Sequence, residues 1–482
     1  MSGTERKFHL FQDIGAYGEN VALRTANGES ITYSELDYLS DEIASKGLQT
    51  STLAVLECDN QVNSVVAYLA FMRQRIVPIL LPSNLPEILF KNYLDRYKPK
   101  YVFTNRKWLD DKYVNKELTN SFKLLERVNV ANMDLHPNLA ILMPTSGSTG
   151  SPKLVRISDK NLISNSRMIQ SSLPITESDV VITTLPFSYS YGLSILNTHL
   201  LSGATVVLNE FSVIQRSFWN LISETAVTTF GGVPFTFQQL LEVGFNRLGP
   251  KIKYLTQAGG KLPTPILEEV HNACSSLGIE FFVMYGQTEA TARMSVLNPN
   301  DAVRKRGSVG KAIPPGEFSL EFENDSQLNH DHKGSGELVY RGDNVAMGYA
   351  ETIEDFAKGD EWQGVLKTGD LAIMDSEGFA YITGRKSRFA KIRGYRISLD
   401  DLESLFLKDG IETAMIEFDS RILVAAISAD LKDSFQQILQ KITMLRATDF
   451  SILIVETFPR NSNGKIDYLS LKQLFIQFTE RP

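Results

Sequence analysis

Short apolar runs alternate with longer helical patterns through most of the chain, and this alternation constrains the fold more than any other feature. The apolar run 53–56 precedes a helical pattern over 65–72. Further strand-like runs occur at 76–80, 180–182, 205–208, 227–230, 254–256 and 281–284. Strands separated by helices pair in parallel, so the pattern predicts an α/β fold of mainly parallel sheets with helices on their faces. After about residue 305, short strands between turn residues predict a small antiparallel β region.

A basic run marks the sharpest candidate domain boundary. Six of the twelve residues from Arg385 to Arg396 are Lys or Arg. A helical pattern near 402–407 and apolar runs at 414–416 and 422–426 follow, which is typical of a compact α+β unit. We therefore expect a large N-terminal domain over residues 1–384 and a small C-terminal domain over residues 385–482. The simpler alternative is that the basic run is a solvated face.

Charge and composition exclude several classes of function. The 482 residues carry 49 basic and 56 acidic side chains, a net charge of −7, so the surface has no overall preference for nucleic acid or an anionic membrane. Two cysteines give no disulfide framework and suit a reducing compartment. No run of about 18 apolar residues is present, and the N-terminus lacks the apolar core of a signal peptide. We therefore expect a cytoplasmic protein with no membrane span and no nucleic-acid partner.

A loop rich in glycine and hydroxyl groups directly follows the apolar run 139–143. Glycine allows main-chain N–H groups to turn toward a bound anion, while hydroxyls add donors and a lysine adds positive charge. The order of a Walker loop is absent, because Pro152 precedes the lysine and the glycines are only three residues apart. A flexible linker is the alternative, but the preceding strand pattern favours a phosphate loop. Its expected nucleotide-binding residues are Thr145, Ser146, Gly147, Ser148, Thr149, Gly150 and Lys153.

Further motifs follow this loop in a fixed order. They are Tyr285–Glu289 (YGQTE), Lys367–Asp370 (KTGD), Gly384–Arg385, Lys391–Arg396 (KIRGYR) and Asn463–Asp467 (NGKID). Together with the loop, this ordered set resembles the adenylate-forming superfamily over nearly the whole chain. That superfamily comprises acyl- and aryl-CoA synthetases, adenylation domains of peptide synthetases and luciferase-like enzymes. The resemblance implies an N-terminal domain that binds ATP and acid, and a mobile C-terminal domain that carries a catalytic lysine.

The motif Tyr285–Glu289 follows an apolar strand, so it should lie at the carboxyl end of a sheet, where α/β proteins bind ligands. The Tyr285 ring can stack on adenine. Thr288 can bond a phosphate and Glu289 can hold Mg²⁺, so both are expected to serve catalysis. A strand-terminal turn with a solvated glutamate is the simpler alternative. The resemblance adds further nucleotide-binding positions: Gly259, Gly260, Gly286, Gln287, Ile382, Lys391 and Gly394.

The resemblance also assigns the remaining polar roles. It makes Asp370 the ligand of the ribose hydroxyls and Arg385 a second ribose or phosphate contact. It makes Lys465 the catalytic cation that bridges the attacking carboxylate and the α-phosphate oxygens. From the residues alone, a lysine on a glycine-containing loop is an ordinary surface group. A preorganised cation is useful here because one negative group must approach another. Ser387 occupies the expected hinge, where relatives usually carry Asp.

The expected acid pocket is formed by three segments. The first, Leu185–Leu193, matches the family segment with an aromatic or histidine gate, and Tyr189 stands where relatives often have histidine. A packed core tyrosine is the alternative for Tyr189. The other two segments contribute Gly232, Val233 and Lys261. Many relatives carry a small residue at the position of Lys261, so this lysine faces either the pocket or the solvent.

These expectations combine into a two-step ligase. A small carboxylic acid and ATP with Mg²⁺ form an acyl-adenylate and pyrophosphate, and a thiol then displaces AMP to give a thioester. Coenzyme A is the favoured thiol, since the chain shows no carrier domain; the phosphopantetheine arm of an acyl or peptidyl carrier protein is the alternative. The basic run would meet the phosphates of either thiol. No aspartate is evident to hold an α-amino group, so an acyl or aryl acid is expected. A non-catalytic nucleotide-binding relative is a further alternative.

Overall fold

A computed structural model of the protein describes residues 10–107, 111–118, 122–128, 133–144, 153–322, 334–386, 388–392, 395–408, 411–418, 421–427, 439, 445–461 and 464–479. Three parts of the predicted site lie outside these residues. They are the loop 145–150, Ser387 and Gly394. Among the described helices, none combines the length and the apolar character that crossing a membrane requires.

The strands, in chain order, are β1 (Val21–Thr25), β2 (Ser30–Thr32), β3 (Leu53–Cys58), β4 (Val77–Pro82), β5 (Tyr101–Thr104), β6 (Tyr113–Leu118), β7 (Lys123–Arg127), β8 (Leu139–Pro144), β9 (Leu154–Ser158), β10 (Val180–Ile182), β11 (Thr205–Leu208), β12 (Thr229–Gly232), β13 (Tyr254–Gln257), β14 (Glu280–Tyr285), β15 (Ser295–Leu297), β16 (Lys311–Ala312), β17 (Glu317–Glu321), β18 (Gly336–Arg341), β19 (Gly348–Ala350), β20 (Val365–Met374), β21 (Ala380–Arg385), β22 (Phe389–Ile392), β23 (Tyr395–Ser398), β24 (Thr413–Phe418), β25 (Arg421–Ala426) and β26 (Phe450–Ile454).

The α-helices of the described part are α1 (Tyr33–Ala44), α2 (Val62–Arg73), α3 (Glu87–Tyr97), α4 (Asp159–Ser172), α5 (Ser190–Leu200), α6 (Arg216–Thr225), α7 (Pro234–Val243), α8 (Thr264–Ser276), α9 (Leu399–Lys408) and α10 (Tyr468–Thr479).

Two large sheets form the first part of the chain, in the strand orders β16-β15-β14-β13-β12-β10-β11-β1-β2 and β19-β9-β8-β4-β3-β5-β7-β6. Their interior strands are parallel, which confirms the predicted α/β class. Both ends of each sheet are antiparallel, and the sequence pattern did not predict this. Some of these neighbours, such as β1 and β2, are too close in the chain for a helix to lie between them, whereas β9 and β19 are far apart in the sequence. Strand β12 also begins two residues later than expected and so includes Gly231 and Gly232.

Helices α2 and α5 belong to the core between the sheets. Every residue of α5 is buried, and α2 is buried from Ser64 to Met72. One apolar cluster joins these helices to residues of both sheets, such as Leu56 and Met284. A helix that is buried on all sides is surrounded by protein along its whole length. The N-terminus of α5 is therefore held rigidly inside the molecule.

The predicted small β region is the antiparallel sheet β17-β18-β20-β21. Beyond it, the hairpin β22-β23 and the sheet β24-β25-β26 form the C-terminal part, together with α9 and α10. Apolar side chains of the C-terminal part pack in clusters of their own. The expected boundary after residue 384 falls one residue before β21 ends.

Candidate active site

The motif after β14 is shaped by a close contact between two main-chain segments. A Cβ atom at Gly286 would lie 1.5 Å from the carbonyl oxygen of Ala292, so only glycine fits. The chain then forms a short 3₁₀ turn over Thr288–Ala290. The Thr288 hydroxyl lies 3.1 Å from the Ser190 hydroxyl at the start of α5. The predicted phosphate ligand therefore lies at the strand end, beside a rigid helix.

Glu289 and Lys153 meet at a tyrosine that the sequence analysis did not identify. The Tyr349 hydroxyl donates to the Glu289 carboxylate at 2.7 Å. The Lys153 amine lies 3.6 Å from the centre of the Tyr349 ring and 3.7 Å from a Glu351 oxygen. Strands β8 and β9 flank the predicted phosphate loop as an antiparallel pair, and β19 pairs with β9. The predicted metal ligand and the predicted loop lysine therefore share one neighbour.

Asp370 is the centre of a hydrogen-bond network. Its side chain is almost fully buried and accepts bonds from the Tyr285 hydroxyl, from Gln287 Nε2 at 2.8 Å and from Arg385 Nε at 2.8 Å. Burial raises the pKa of Tyr285 well above its ordinary value, and the neighbouring Asp370 charge raises it further. A carboxylate has about four acceptor positions. One is therefore left for a ribose hydroxyl, and a second ribose bond would displace a present donor.

Tyr285 is held by this bond and by packing. Its ring lies 6.3 Å from that of Phe318, at an angle of 54°. The Tyr285 ring, which is predicted to stack on adenine, is therefore held in one orientation by these contacts. The nearby Gly259 has φ +84°, and the main-chain oxygen of Gly260 accepts a bond from Gln257 at 2.9 Å. Gly259 and Gly260 follow β13, and Tyr285 ends the adjacent strand β14, so these predicted nucleotide-binding positions lie at neighbouring strand ends.

Three of the six cations of the basic run, Arg385, Lys386 and Arg388, have acidic partners in the structure. Arg385 pairs with Asp370, Lys386 with Glu337 at 3.0 Å, and Arg388 with Asp400 and Glu403. The Asp370 charge raises the pKa of Arg385. The main chain of Lys391 pairs with Arg396 in the hairpin β22-β23. The partners of these cations come from β18, β20 and α9, which no local pattern in the sequence reveals.

Lys261 occupies the solvent-facing one of its two predicted positions. Its side chain is exposed, and its amine donates to the main-chain oxygen of Ile382 at 3.1 Å. The structure thus does not place Lys261 among the pocket residues. The contact instead ties the segment after β13 to β21.

Lys465 is carried to the site by a tight loop that docks on the N-terminal part. Gly464 has φ +72°, and a Cβ atom there would lie 3.1 Å from Val233 Cγ2 and 3.3 Å from Phe235 Cβ. Arg460 stacks on the Phe235 ring at 5.0 Å and donates to the Gly464 carbonyl at 3.1 Å. Only glycine combines this backbone angle with so close an approach. The loop therefore fits against the predicted pocket residue Val233.

The Lys465 amine lies in the middle of the charged site. It is 5.7 Å from the centre of the Tyr189 ring. Burial, followed by the Arg385 charge, lowers the pKa of Lys465 to about 8, while the Asp370 and Glu289 charges act in the opposite direction. Within the described part of the chain, this amine has no hydrogen-bond or ion-pair partner. The Lys465 amine thus lies within electrostatic range of Glu289, Asp370 and Arg385.

Tyr189 and the glycines around it form the wall between Lys465 and the core. Burial raises the pKa of Tyr189. A Cβ atom at Gly259 would lie 2.6 Å from the Tyr189 hydroxyl and 3.1 Å from Val233 Cγ1. A Cβ atom at Gly232 would lie 2.9 Å from Phe237 Cε2 and 3.0 Å from Thr236 Cβ. Tyr189 is therefore only partly buried, and its ring faces the Lys465 amine.

The donor set fits a magnesium ion that arrives with a nucleotide. Among the described residues, no group of three or more His, Cys, Asp or Glu side chains gathers to hold a metal. Mg²⁺ commonly uses one or two carboxylates together with substrate phosphates, which a single Glu289 near Lys153 and Thr288 satisfies. A resident protein-only metal site is not supported in this part of the chain.

The fold and the gathered charges define a nucleotide-binding enzyme of the α/β class. A family model described as AMP-binding enzyme matches residues 10–350, and this chain belongs to that family. It is 28% identical to a 2-succinylbenzoate–CoA ligase of Bacillus subtilis, over 84% of this chain and 83% of that protein. It is 25% identical to an oxalate–CoA ligase of Arabidopsis thaliana, over 95% and 96% of the two chains. A bacitracin synthase 2 of Bacillus licheniformis matches 92% of this chain at 24% identity, but only 18% of that protein.

Solved structures show the same architecture. The O-succinylbenzoate coenzyme A synthetase of Bacillus subtilis in complex with AMP has a TM-score of 0.76 and 24% identity, covering 96% of this chain and 98% of that one. MatB of Rhodopseudomonas palustris bound to ATP has a TM-score of 0.74 and 19% identity, covering 98% and 100%. The predicted fold, a large sheet-rich domain with a smaller C-terminal domain, is therefore confirmed.

Proposed function

We propose that this enzyme activates a small carboxylic acid with ATP and transfers the acyl group to coenzyme A. In the first step an acid oxygen attacks the α-phosphorus, the bond to the bridging oxygen breaks, and pyrophosphate leaves. In the second step the thiolate attacks the acyl carbon, the bond to the AMP oxygen breaks, and the thiol proton passes to solvent. The products are a thioester, AMP and pyrophosphate.

The observation that carries the proposal is the position of Lys465. A partly buried amine without a partner in the described chain lies beside Tyr189 and within electrostatic range of Asp370 and Glu289. Burying a cation without a partner is unfavourable unless an anion arrives. The reacting carboxylate and the α-phosphate are such anions. Lys465 would reduce their mutual repulsion as they approach, which is the main barrier to forming the adenylate.

The other residues have roles in binding. Asp370 would take a ribose hydroxyl, Thr288 and Lys153 the phosphates, and Glu289 a magnesium ion that neutralises phosphate charge. Tyr349 would orient both Glu289 and Lys153. Transfer to the thiol would follow rotation of residues 385–482 about Ser387. A cytoplasmic location agrees with two cysteines that are both free thiols.

The names of full-length relatives support coenzyme A as the acceptor, since they are CoA ligases that this chain spans by 83% or more. A carrier-protein acceptor is the second candidate. The observation that favours it is the match to bacitracin synthase 2 over 92% of this chain.

The test is exchange of labelled pyrophosphate into ATP across a panel of carboxylic acids. We expect acid-dependent exchange, followed by a thioester with coenzyme A that mass spectrometry detects. Loading of a pantetheinylated carrier protein in place of coenzyme A would select the second candidate. Lys465→Ala is the matched negative control. Absence of exchange with every acid, in protein that still binds ATP, would favour a non-catalytic nucleotide-binding relative.

A further inference from the structure

Arg293 is a buried cation without a counter-ion. It is 2% exposed, and its Nε donates to the Ser194 hydroxyl at 3.1 Å while Nη1 lies 3.1 Å from the Met284 sulfur. No carboxylate lies within ion-pair distance among the residues that the structure describes. Of the five N–H donors of an arginine, three therefore have no acceptor in the described chain.

The other buried arginine of the described chain shows how a structural arginine is satisfied. Arg156 donates to the main-chain oxygens of Tyr349, Met347 and Lys358, and it pairs with the Glu361 carboxylate. All three of its nitrogens have acceptors. An arginine buried for stability alone thus meets carbonyl and carboxylate oxygens in this fold, whereas Arg293 meets a hydroxyl, a thioether and an aromatic ring. The charge of Arg293 needs another explanation.

The Nη2 atom of Arg293 has no acceptor in the described chain. Its two N–H donors are therefore not used by the described residues. Such a donor pair is suited to a ligand oxygen.

Arg293 lies next to the segment Leu185–Leu193, which is expected to form part of the acid pocket. Its guanidinium lies 4.8 Å from the centre of the Tyr191 ring, while the Lys465 amine lies 5.7 Å from the ring of Tyr189. These two tyrosines are two residues apart at the start of α5. Between them, Ser190 contacts Thr288 of the nucleotide motif. The buried N-terminus of α5 thus has one cation near the reacting end and a second cation deeper in the protein.

The backbone holds Arg293 firmly in this direction. Thr291 and Ala292, which precede it, have φ of +56° and +113°. Such angles are unfavourable for residues with a Cβ atom, and they persist at sites where the surroundings impose them. The Arg293 carbonyl accepts bonds from Asn165 at 2.8 Å and Asn344 at 3.2 Å. Strain and hydrogen bonds together turn this side chain inward.

The groups facing Arg293 are neutral. Tyr191 donates its hydroxyl to the Thr256 carbonyl at 2.9 Å. His199 bonds the Ile195 carbonyl through Nδ1, and burial lowers the pKa of His199 to about 4, so its ring is uncharged near neutral pH. The surroundings thus offer Arg293 dipoles and aromatic faces but no negative charge.

We propose that Arg293 binds a second carboxylate of the acid substrate, so that the preferred substrates are dicarboxylic acids. The inference rests on the proposed acid-activating function. One carboxylate reacts beside Lys465, and the other meets the free donors of Arg293 beyond Tyr191. The planar guanidinium matches a carboxylate in a two-bond geometry, which explains an arginine at this place rather than a lysine.

The first test uses the unmodified enzyme. Pyrophosphate release is measured for a series of aliphatic and aromatic dicarboxylic acids of increasing length, each beside its monoamide of equal size. We expect kcat/KM to be on the order of 100-fold higher for the best diacid than for its monoamide, because the amide leaves a buried cation unpaired. The length of the best diacid would report the spacing between Lys465 and Arg293.

The second test substitutes the arginine. Arg293→Met should bring the ratio of diacid to monoamide close to one, and Arg293→Lys should retain part of it. Stabilisation of each variant by ATP with Mg²⁺ in a thermal melt checks that it is folded. Arg73→Met is the matched control, since Arg73 pairs with Asp37 and Asp41 on α1, and it should keep the wild-type ratio.

The outcomes separate the two proposals. Equal use of diacids and monoamides by the wild type, or an unchanged ratio in Arg293→Met, overturns the role of Arg293 while the ligase function stands. No pyrophosphate release with any monoacid or diacid overturns the ligase function and the substrate class with it. If the substituted proteins do not fold, the wild-type ratio alone decides.

Discussion

The two charged parts of the candidate site are held in place by different means. Around Asp370, side chains hold one another: Tyr285, Gln287 and Arg385 all donate to one buried carboxylate. Lys465 is positioned by main-chain packing instead, because Gly464 lies against Val233 and Phe235. The Lys465 amine itself has no partner among the described residues.

The difference indicates that nucleotide binding and catalysis depend on separate parts of the site. The Asp370 network exists before a nucleotide arrives, so its damage should weaken nucleotide binding and stability together. The loop that carries Lys465 places a positive charge beside the reacting groups. Substitutions in this loop should therefore slow the reaction, while nucleotide binding is retained. Substitutions in the two parts should therefore have different effects on kcat, on KM and on stability.

Replacing Lys465 should have the largest effect. We expect Lys465→Ala to lower kcat for adenylate formation by about 10²–10³-fold, because one preorganised charge at the reacting atoms is lost. Calorimetry should show ATP binding unchanged within about threefold. Lys472→Ala on α10, whose amine lies over the Phe418 ring, is the control. A comparable loss of ATP binding in Lys465→Ala would refute the division.

Asp370→Asn should impair nucleotide binding and stability rather than the chemical step. The amide group would point a donor at the donors of Tyr285, Gln287 or Arg385, so we expect the KM for ATP to rise by about 10- to 100-fold and the free energy of unfolding to fall by about 1–3 kcal/mol. Initial rates and urea unfolding measure both. Asp343→Asn, at an exposed acid that pairs with Lys160, is the control. A normal KM with reduced kcat would contradict the assignment.

The docking of the lysine loop can be tested at Gly464. A Cβ atom there is strained by the backbone angle and meets Val233, so Gly464→Ala should lower kcat by about tenfold and leave the KM for ATP unchanged. Gly278→Ala is a matched control, because Gly278 has nearly the same φ, +69°, with nothing within 4 Å. Equal effects of the two substitutions would show that backbone strain alone is responsible.

The pH dependence should separate activity from stability. Burial lowers the pKa of Lys465 from 10.5 to about 8, so kcat/KM should fall up to about tenfold per pH unit above 8 as the amine loses its proton. Between pH 8 and 10.5 the unfolded chain binds the proton more strongly than the folded one. This group's destabilising contribution is therefore complete below pH 8 and disappears as the pH rises. Lys465→Arg should lack both effects, since arginine stays charged. An identical profile in Lys465→Arg would assign the titration to another group.

The smallest effect is expected at Lys261. Because its exposed amine contacts the Ile382 carbonyl, Lys261→Ala should change the preference among acids by less than about twofold. Competition between acid pairs measures this preference. A larger change would indicate that Lys261 contacts the acid.

The sequence was sufficient for the class of fold and for the residues that gather at the strand ends. The buried run before Tyr285 and the glycine after it predict a strand and a tight turn from local rules alone. Tyr349 and Arg293 could not be found in this way. The significance of Tyr349 depends on Glu289, which lies 60 residues away in the chain, and that of Arg293 on the lack of an acid beside it among the described residues. Likewise, the sequence around Lys386 gives no sign of an acidic partner, because that partner, Glu337, lies on the distant strand β18.

The contact at Gly286 has a consequence for how this protein can vary. Every missense change of a single nucleotide in a glycine codon introduces a side chain with a Cβ atom, and here that atom would lie 1.5 Å from the Ala292 oxygen. A library of all substitutions should therefore find no tolerated replacement at this codon. The restriction comes from two crossing main chains, so no compensating side-chain change elsewhere can relieve it.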